Sequence, residues 1–247
     1  MKAKFMRTRL DIALVERGLA GSQKEAQAMI LAGEVKVDGA PAQKAGEQVA
    51  SDAKIALTRQ QRYVSRGGLK LEGALADFSV GPAGRVCLDI GSSTGGFTDC
   101  LLQRGAAKVF AVDVNLAQLA WKLQQDARVI KLQRNARQIS VSDIPEPVSL
   151  AVVDVSFISV CKILPHAIAC AAPGADFLIL VKPQFELRRD DVPSGGIVAD
   201  PQLHQKAIAA VEKCAASAGL LIQKTLPSRV TGAEGNQEFF LHARKPQ

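Results

Sequence analysis

The chain has 247 residues, 47% hydrophobic and 22% charged, enough apolar material for a substantial core with a second, smaller module beside it. Lys and Arg exceed Asp and Glu by 31 to 24, a net charge of +7, and residues 1 to 70 hold 13 of the basic against 7 of the acidic side chains. Five cysteines without a Cys-x-x-Cys pair and three scattered histidines exclude a disulfide framework and a metal site. No apolar run follows the basic start, and the longest apolar segments fall short of the ~18 residues of a membrane helix, so a cytoplasmic protein is expected.

In chain order, Arg9 to Arg17 places Leu10, Ala13 and Leu14 on one helical face and stops at Gly18. Ser22 and Glu25 form a capping box for a second helix through Leu31, ending at Gly33. Val35 and Val37 then flank Lys36 before an Asp38-Gly39 turn, and Lys54 to Leu57 is a further strand. This helix-helix-hairpin unit, with RLDIALVERGLAGSQKEAQAMILAGEVKVDG, resembles the S4 RNA-binding domain. The resemblance implies phosphate contacts from Arg7, Arg9, Arg17, Lys24, Lys36 and Lys44, with Arg66 added beyond the module. It departs at Gln23, where the family usually carries Arg. With one Tyr and one Trp in the chain, reading by shape and phosphate is expected rather than base stacking.

Thr58 to Ser65 is polar and basic and reads as a linker, followed by a helix bearing Leu71, Ala74, Leu75 and Phe78. The expected division is an S4-like domain over 1–60, a linker and leading helix over 61–84, and a catalytic domain over 85–247. After Gly81-Pro82, Val86, Cys87 and Leu88 run into Asp89 and then Gly91, Ser92, Ser93, Thr94, Gly95 and Gly96, with helical spacing resuming at Phe97. This is a strand, a glycine-rich turn and a helix N-terminus, a junction suited to a ligand. Phe97-Thr98 is not the Lys-Ser/Thr of a phosphate loop, and Ser93 breaks a dinucleotide fingerprint. A carboxylate before the first glycine instead suits the amino group of an amino-acid-like ligand such as S-adenosylmethionine. Asp113, ending the next strand, is placed for the ribose hydroxyls.

Beyond the turn, strands are expected at 86–90, 108–113, 128–132, 150–154 and 176–182, with helices at 97–104, 116–125, 159–172 and 201–218. Such alternation predicts an α/β fold with a parallel sheet covered on both faces. Leu220 to Leu226 and Glu238 to Arg244, joined without a helix, should pair antiparallel. A Rossmann-like class I methyltransferase sheet, mostly parallel with a terminal antiparallel hairpin, is the fold this resembles. Asp154 and Lys182 also end apolar runs, where open α/β sheets bind their ligands.

SRGGLKLE (65–72), DIGSSTGGFTDCLLQRGA (89–106), VVDVSFIS (152–159), VKPQFE (181–186) and GNQEFF (235–240) together resemble the TlyA family of S4-domain ribosomal RNA 2'-O-methyltransferases, also labelled haemolysins. The second half is similar to the FtsJ-like RNA ribose methyltransferases. That resemblance implies a Lys-Asp-Lys-Glu tetrad at Lys70, Asp154, Lys182 and Glu238. It places residues 91 to 97 around the methionine part of S-adenosylmethionine and Asn135 at the adenine. Two departures fall at the adenosine wall: Asn115-Leu116-Ala117 follows Asp113 where the family commonly has Gly-Tyr-Gly, and Arg134 precedes Asn135 in place of Thr.

The implied reaction moves a methyl group to a ribose 2'-hydroxyl of ribosomal RNA, with cytidine as the family's target, and needs no metal. Lys182 is the candidate to take the hydroxyl proton or to stabilise the alkoxide, with the two carboxylates orienting; a lysine in water is protonated at neutral pH, so the choice stays open. The end of the chain soon after the last strand is expected to go with the narrower, large-subunit target. The segment Pro183 to Ala199, with Arg188 and Arg189, reads as a mobile substrate lip. Two other functions compete: an S4-type assembly factor with a non-catalytic second half, and a pore former.

Overall fold

The computed structural model describes residues 7–57, 62–232 and 234–247 and divides the chain into two units, 1–61 and 62–247. The linker read over Thr58 to Ser65 lies outside the described residues as far as Gln61.

In the first unit, β1 (Arg7–Arg9) leads into α1 (Leu10–Glu16) and α2 (Gln23–Leu31), followed by β2 (Val35–Val37), β3 (Ala40–Pro41), β4 (Gln48–Ala50) and β5 (Ile55–Leu57). The Ser22 hydroxyl accepts from Glu25 N and starts α2, one half of the expected capping box, while the Glu25 carboxylate accepts from Gly21 N at 2.8 Å rather than from Ser22 N. Leu10, Leu14, Ala26, Ile30, Val35 and Val49 close a small core of their own.

The second unit begins with α3 (Arg66–Asp77), followed by β6 (Val86–Ile90), α4 (Gly96–Gln103), β7 (Lys108–Asp113), α5 (Trp121–Gln124), β8 (Val129–Gln133), β9 (Val148–Val153), α6 (Leu164–Ala169) and β10 (Ala171–Val181). Then come α7 (Pro183–Glu186), α8 (Pro201–Ser217), β11 (Leu221–Pro227) and β12 (Phe239–Arg244). The sheet runs β11-β12-β10-β9-β6-β7-β8. The five from β10 to β8 are parallel, and β12 lies antiparallel between β10 and β11.

Two-residue periodicity sorts each central strand onto two cores. Leu88, Ile90, Phe177, Ile179 and Val181 join α6 and α8 on one face, while Cys87, Leu178 and Leu180 meet Leu71, Leu75 and Leu101 of α3 and α4 on the other. Burying both faces fixes the register, because a one-residue slip would exchange the two sets.

Three expected elements differ. The helix over 116–125 is a 3-10 turn at Leu116–Gln118 followed by α5, because Asn115 caps the turn and Ala120 N bonds to Thr94 O. The helix over 159–172 shortens to a 3-10 turn and α6, whose early Pro165 supplies no backbone donor. The strand expected from 176 begins at Ala171, with its register against β9 shifting between Ala171 and Asp176 across Pro173-Gly174.

Candidate active site

The glycine turn sits between β6 and α4. At Gly91 φ is 85°, and a Cβ there would stand 2.0 Å from the Asp154 carbonyl oxygen, so only glycine lets the ends of β6 and β9 meet. Asp89 is fully buried and accepts from Thr98 Oγ1 at 2.6 Å, while its Oδ1 and the buried Ser92 Oγ have no protein partner. Burial pushes the Asp89 carboxyl up to about 7; the Thr98 hydrogen bond opposes the shift and the charge of Asp154 adds to it. An orphan acid oxygen beside an orphan hydroxyl fits the amino group of an amino-acid-like ligand.

Asp113 ends β7 half-buried, accepting from Ser93 N through Oδ2 and from Asn115 N through Oδ1, each at 2.9 Å. Oδ1 also accepts from Gln118 Nε2 at 3.5 Å, whereas Oδ2 keeps a lone pair for a ribose hydroxyl. Asn135 accepts from Arg137 N at 3.1 Å, leaving its amide nitrogen as a donor. Gly95, with φ 95°, caps the start of α4, and Thr94 and Gly96 complete the turn. The ring of Phe97, expected at the cofactor, is instead a core group: it is buried, stacks on Phe240 at 6.1 Å and covers Gly67, leaving its backbone as the part available to a ligand.

The four tetrad positions meet at the carboxyl ends of the strands. Lys182 Nζ contacts Asp154 Oδ1 at 2.5 Å, and Lys70 Nζ, from α3, contacts Glu238 Oε2 at 2.5 Å. The antiparallel pairing of Val181 with Phe239 sets Lys182 and Glu238 next to each other across β10 and β12. Both lysines and Glu238 are buried, so each cation has an anion where water is scarce. Ala74 and Leu75 seat α3 on the sheet, which brings Lys70 to a carboxylate 168 residues away in sequence.

In the first unit, Arg7, Lys24 and Lys44 are exposed and Lys36 is half-buried. Arg9 forks onto the buried Asp11 at 3.0 and 2.8 Å, and Gln23 and Gln27 donate to the same carboxylate. The Arg9 hydrogen bonds hold the Asp11 carboxyl below the usual range. Arg17 donates to the carbonyls of Ala53 and Ser51 at 2.6 and 2.8 Å, so its guanidinium ties a turn together. Arg66, in the second unit, is exposed and donates to Thr231 O at 3.1 Å.

Three residues escaped the sequence reading. Thr98 holds Asp89, Ser156 accepts from Lys182 Nζ at 2.9 Å, and the buried Asn236 takes Val198 N at 2.8 Å and gives to Gly196 O at 2.9 Å. Thr98 lies one residue past the suspected turn, and Ser156 and Asn236 each lie two residues from a suspected carboxylate, so proximity in sequence was the available signal.

A mostly parallel sheet closed by an antiparallel strand, with an acid-flanked glycine turn after the strand Val86–Ile90, is the sheet of a methyltransferase. The chain belongs to the FtsJ-like methyltransferase family, whose model matches residues 63–245, and an S4 domain model matches residues 8–55. It is 45% identical over 241 residues to a Mycobacterium tuberculosis protein named 16S/23S rRNA (cytidine-2'-O)-methyltransferase TlyA, covering 96% of this chain and 90% of the relative. It is 39% identical to Hemolysin A of Brachyspira hyodysenteriae, covering 95% and 98%. A solved Streptococcus thermophilus structure named for hemolysin superposes with TM-score 0.76 at 39% identity, covering 98% of this chain and 89% of that one.

Proposed function

We propose that the protein methylates a ribose 2'-hydroxyl of ribosomal RNA, on cytidine, in the cytoplasm. The observation that carries this reading is the meeting of Lys70, Asp154, Lys182 and Glu238 beside the turn that bears Asp89 and Ser92. When bound, S-adenosylmethionine supplies a methyl group on a positively charged sulfur. Asp89 and Ser92 hold its amino-acid end, Asp113 its ribose and Asn135 its adenine edge. Lys182 receives the 2'-proton, Asp154 steadies the resulting ammonium, and the Lys70–Glu238 pair frames the other side of the reacting ribose. The relative named as a cytidine-2'-O-methyltransferase supports the choice of nucleotide.

The test offers unmodified ribosomal subunits, or bare ribosomal RNA, with labelled S-adenosylmethionine and maps the product. Label on a cytidine 2'-oxygen is expected; label on a base, or none, overturns the reading. Lys182→Ala should lower the rate at least ~100-fold while cofactor binding stays within about threefold, since proton transfer contributes about that much. Full activity in that variant removes Lys182 from the mechanism.

A further inference from the structure

The two motifs that end in the candidate active site, Asp154 to Ser159 and Lys182 to Glu186, lie zipped together along their length. Lys182 Nζ meets Asp154 Oδ1 at 2.5 Å and Ser156 Oγ at 2.9 Å. Phe185 packs on Phe157 with ring centroids 5.2 Å apart. Glu186 accepts from Ser159 Oγ at 2.6 Å and from Val160 N at 2.9 Å. Upstream, Asp154 N bonds to Ile90 O, so the start of the loop is pinned to β6 as well. Phe157 holds φ at 65°, a left-handed conformation that a non-glycine residue adopts only when its surroundings enforce it.

We propose that Ser156 is a positioning residue for Lys182, fixing the rotation of the Nζ so that its lone pair faces the reacting 2'-oxygen. This rests on the reading of Lys182 as the group that receives the 2'-proton. The nitrogen is tetrahedral: one direction is its own Cε and Ser156 takes a second as hydrogen-bond acceptor, while Asp154 Oδ1 stands at ion-pair distance without accepting a hydrogen bond. In the neutral amine one N–H bond is thereby engaged, which fixes the rotation of the lone pair about the Cε–Nζ bond. With Asp154 alone, the amine would rotate about its last bond and present the lone pair to the ribose only part of the time. Burial of Lys182 keeps water from replacing the serine, whereas Ser156 itself is exposed and its own proton is free to turn to solvent.

The step balances within the site. The 2'-oxygen's electron pair forms the new bond to the methyl carbon, and the carbon–sulfur pair leaves with sulfur. The hydroxyl proton passes to the Nζ lone pair, giving an ammonium against the Asp154 carboxylate.

The experiment compares Ser156→Ala and Ser156→Thr with the parent enzyme and with Lys182→Ala, measuring kcat, KM for ribosomal RNA, cofactor Kd and the pH profile of kcat. Ser156→Ala is expected to lower kcat about tenfold or more, with KM and Kd within about twofold, as lost orientation requires. The rising limb of its pH profile should move to lower pH, because one acceptor favouring the ammonium has gone. Ser156→Thr, which keeps the hydroxyl, should restore most of the rate and the parental profile. A Ser156→Ala enzyme with kcat within about twofold and a superimposable profile overturns the proposal, as does an effect confined to KM. If Lys182→Ala keeps full activity, the reading of Lys182 falls and Ser156 with it. If Lys182→Ala is inactive and Ser156→Ala unchanged, only the role of Ser156 is lost.

Discussion

Asp89 shows how burial and ligand chemistry are joined in one side chain. Buried and only half satisfied, its carboxyl titrates at about 7 in the ligand-free protein. A ligand ammonium favours the carboxylate, so the complex holds this proton less tightly than the free protein does. Below pH ~7 binding must therefore release a proton. Affinity for S-adenosylmethionine should be full above pH ~7 and weaken as the pH falls, approaching tenfold per unit. Calorimetry between pH 5.5 and 8 in buffers of different ionisation enthalpy checks both slope and proton count. Asp89→Asn should bind weakly and flatten the dependence, and an unchanged slope in that variant would assign it to another group. The sequence exposed this acid because it stands between an apolar run and a glycine. Thr98 and Ser156 were hidden because a hydroxyl has no pattern of its own until a fold shows what it faces.

Among the elements, the segment between α7 and α8 departs furthest from expectation. Read as a mobile lip, it is anchored near its far end: Asn236 holds both Gly196 and Val198, and His204 Nε2 meets Val198 O at 2.7 Å. Asn236 lies two residues before Glu238, so one turn secures the lip and delivers a tetrad carboxylate. Asn236→Ala leaves the buried Val198 N–H without its acceptor, a cost of about 1–3 kcal/mol. Faster amide exchange over 194–200 is expected, together with a lower melting temperature; unchanged exchange there would show that the His204 contact suffices. The strands were legible because a sheet buried on both faces needs continuous apolar runs, and the antiparallel ending because too few residues separate its strands for a crossover. The broken helix at 116–125 was not, since the bond from Ala120 N to Thr94 O is a tertiary contact overriding an adequate helical period.

Across the whole molecule, the excess positive charge lies in the first 70 residues, while the catalytic half is nearly balanced. If Lys24 and Lys36 contact phosphate, each change to Gln should weaken binding to ribosomal RNA and reduce the slope of log affinity against log salt by about 0.7–0.9, with kcat at saturating RNA unchanged. Filter binding across a salt series measures this. A slope equal to the parent's would mean that the lysine is merely solvated. Arg17 is a poorer choice for the same experiment, because its guanidinium holds the turn at Ser51 to Ala53 and its removal would confuse folding with binding.

The two lysine–carboxylate contacts at the sheet ends have a further consequence. Each pairs a cation with an anion, so with every member ionised the quartet sums to no charge at all. Such a centre has little long-range pull on a polyanion and little reason to retain one once the methyl group has moved. Capture and grip must then come from elsewhere on the chain, and the chemical half is free to let go between turnovers.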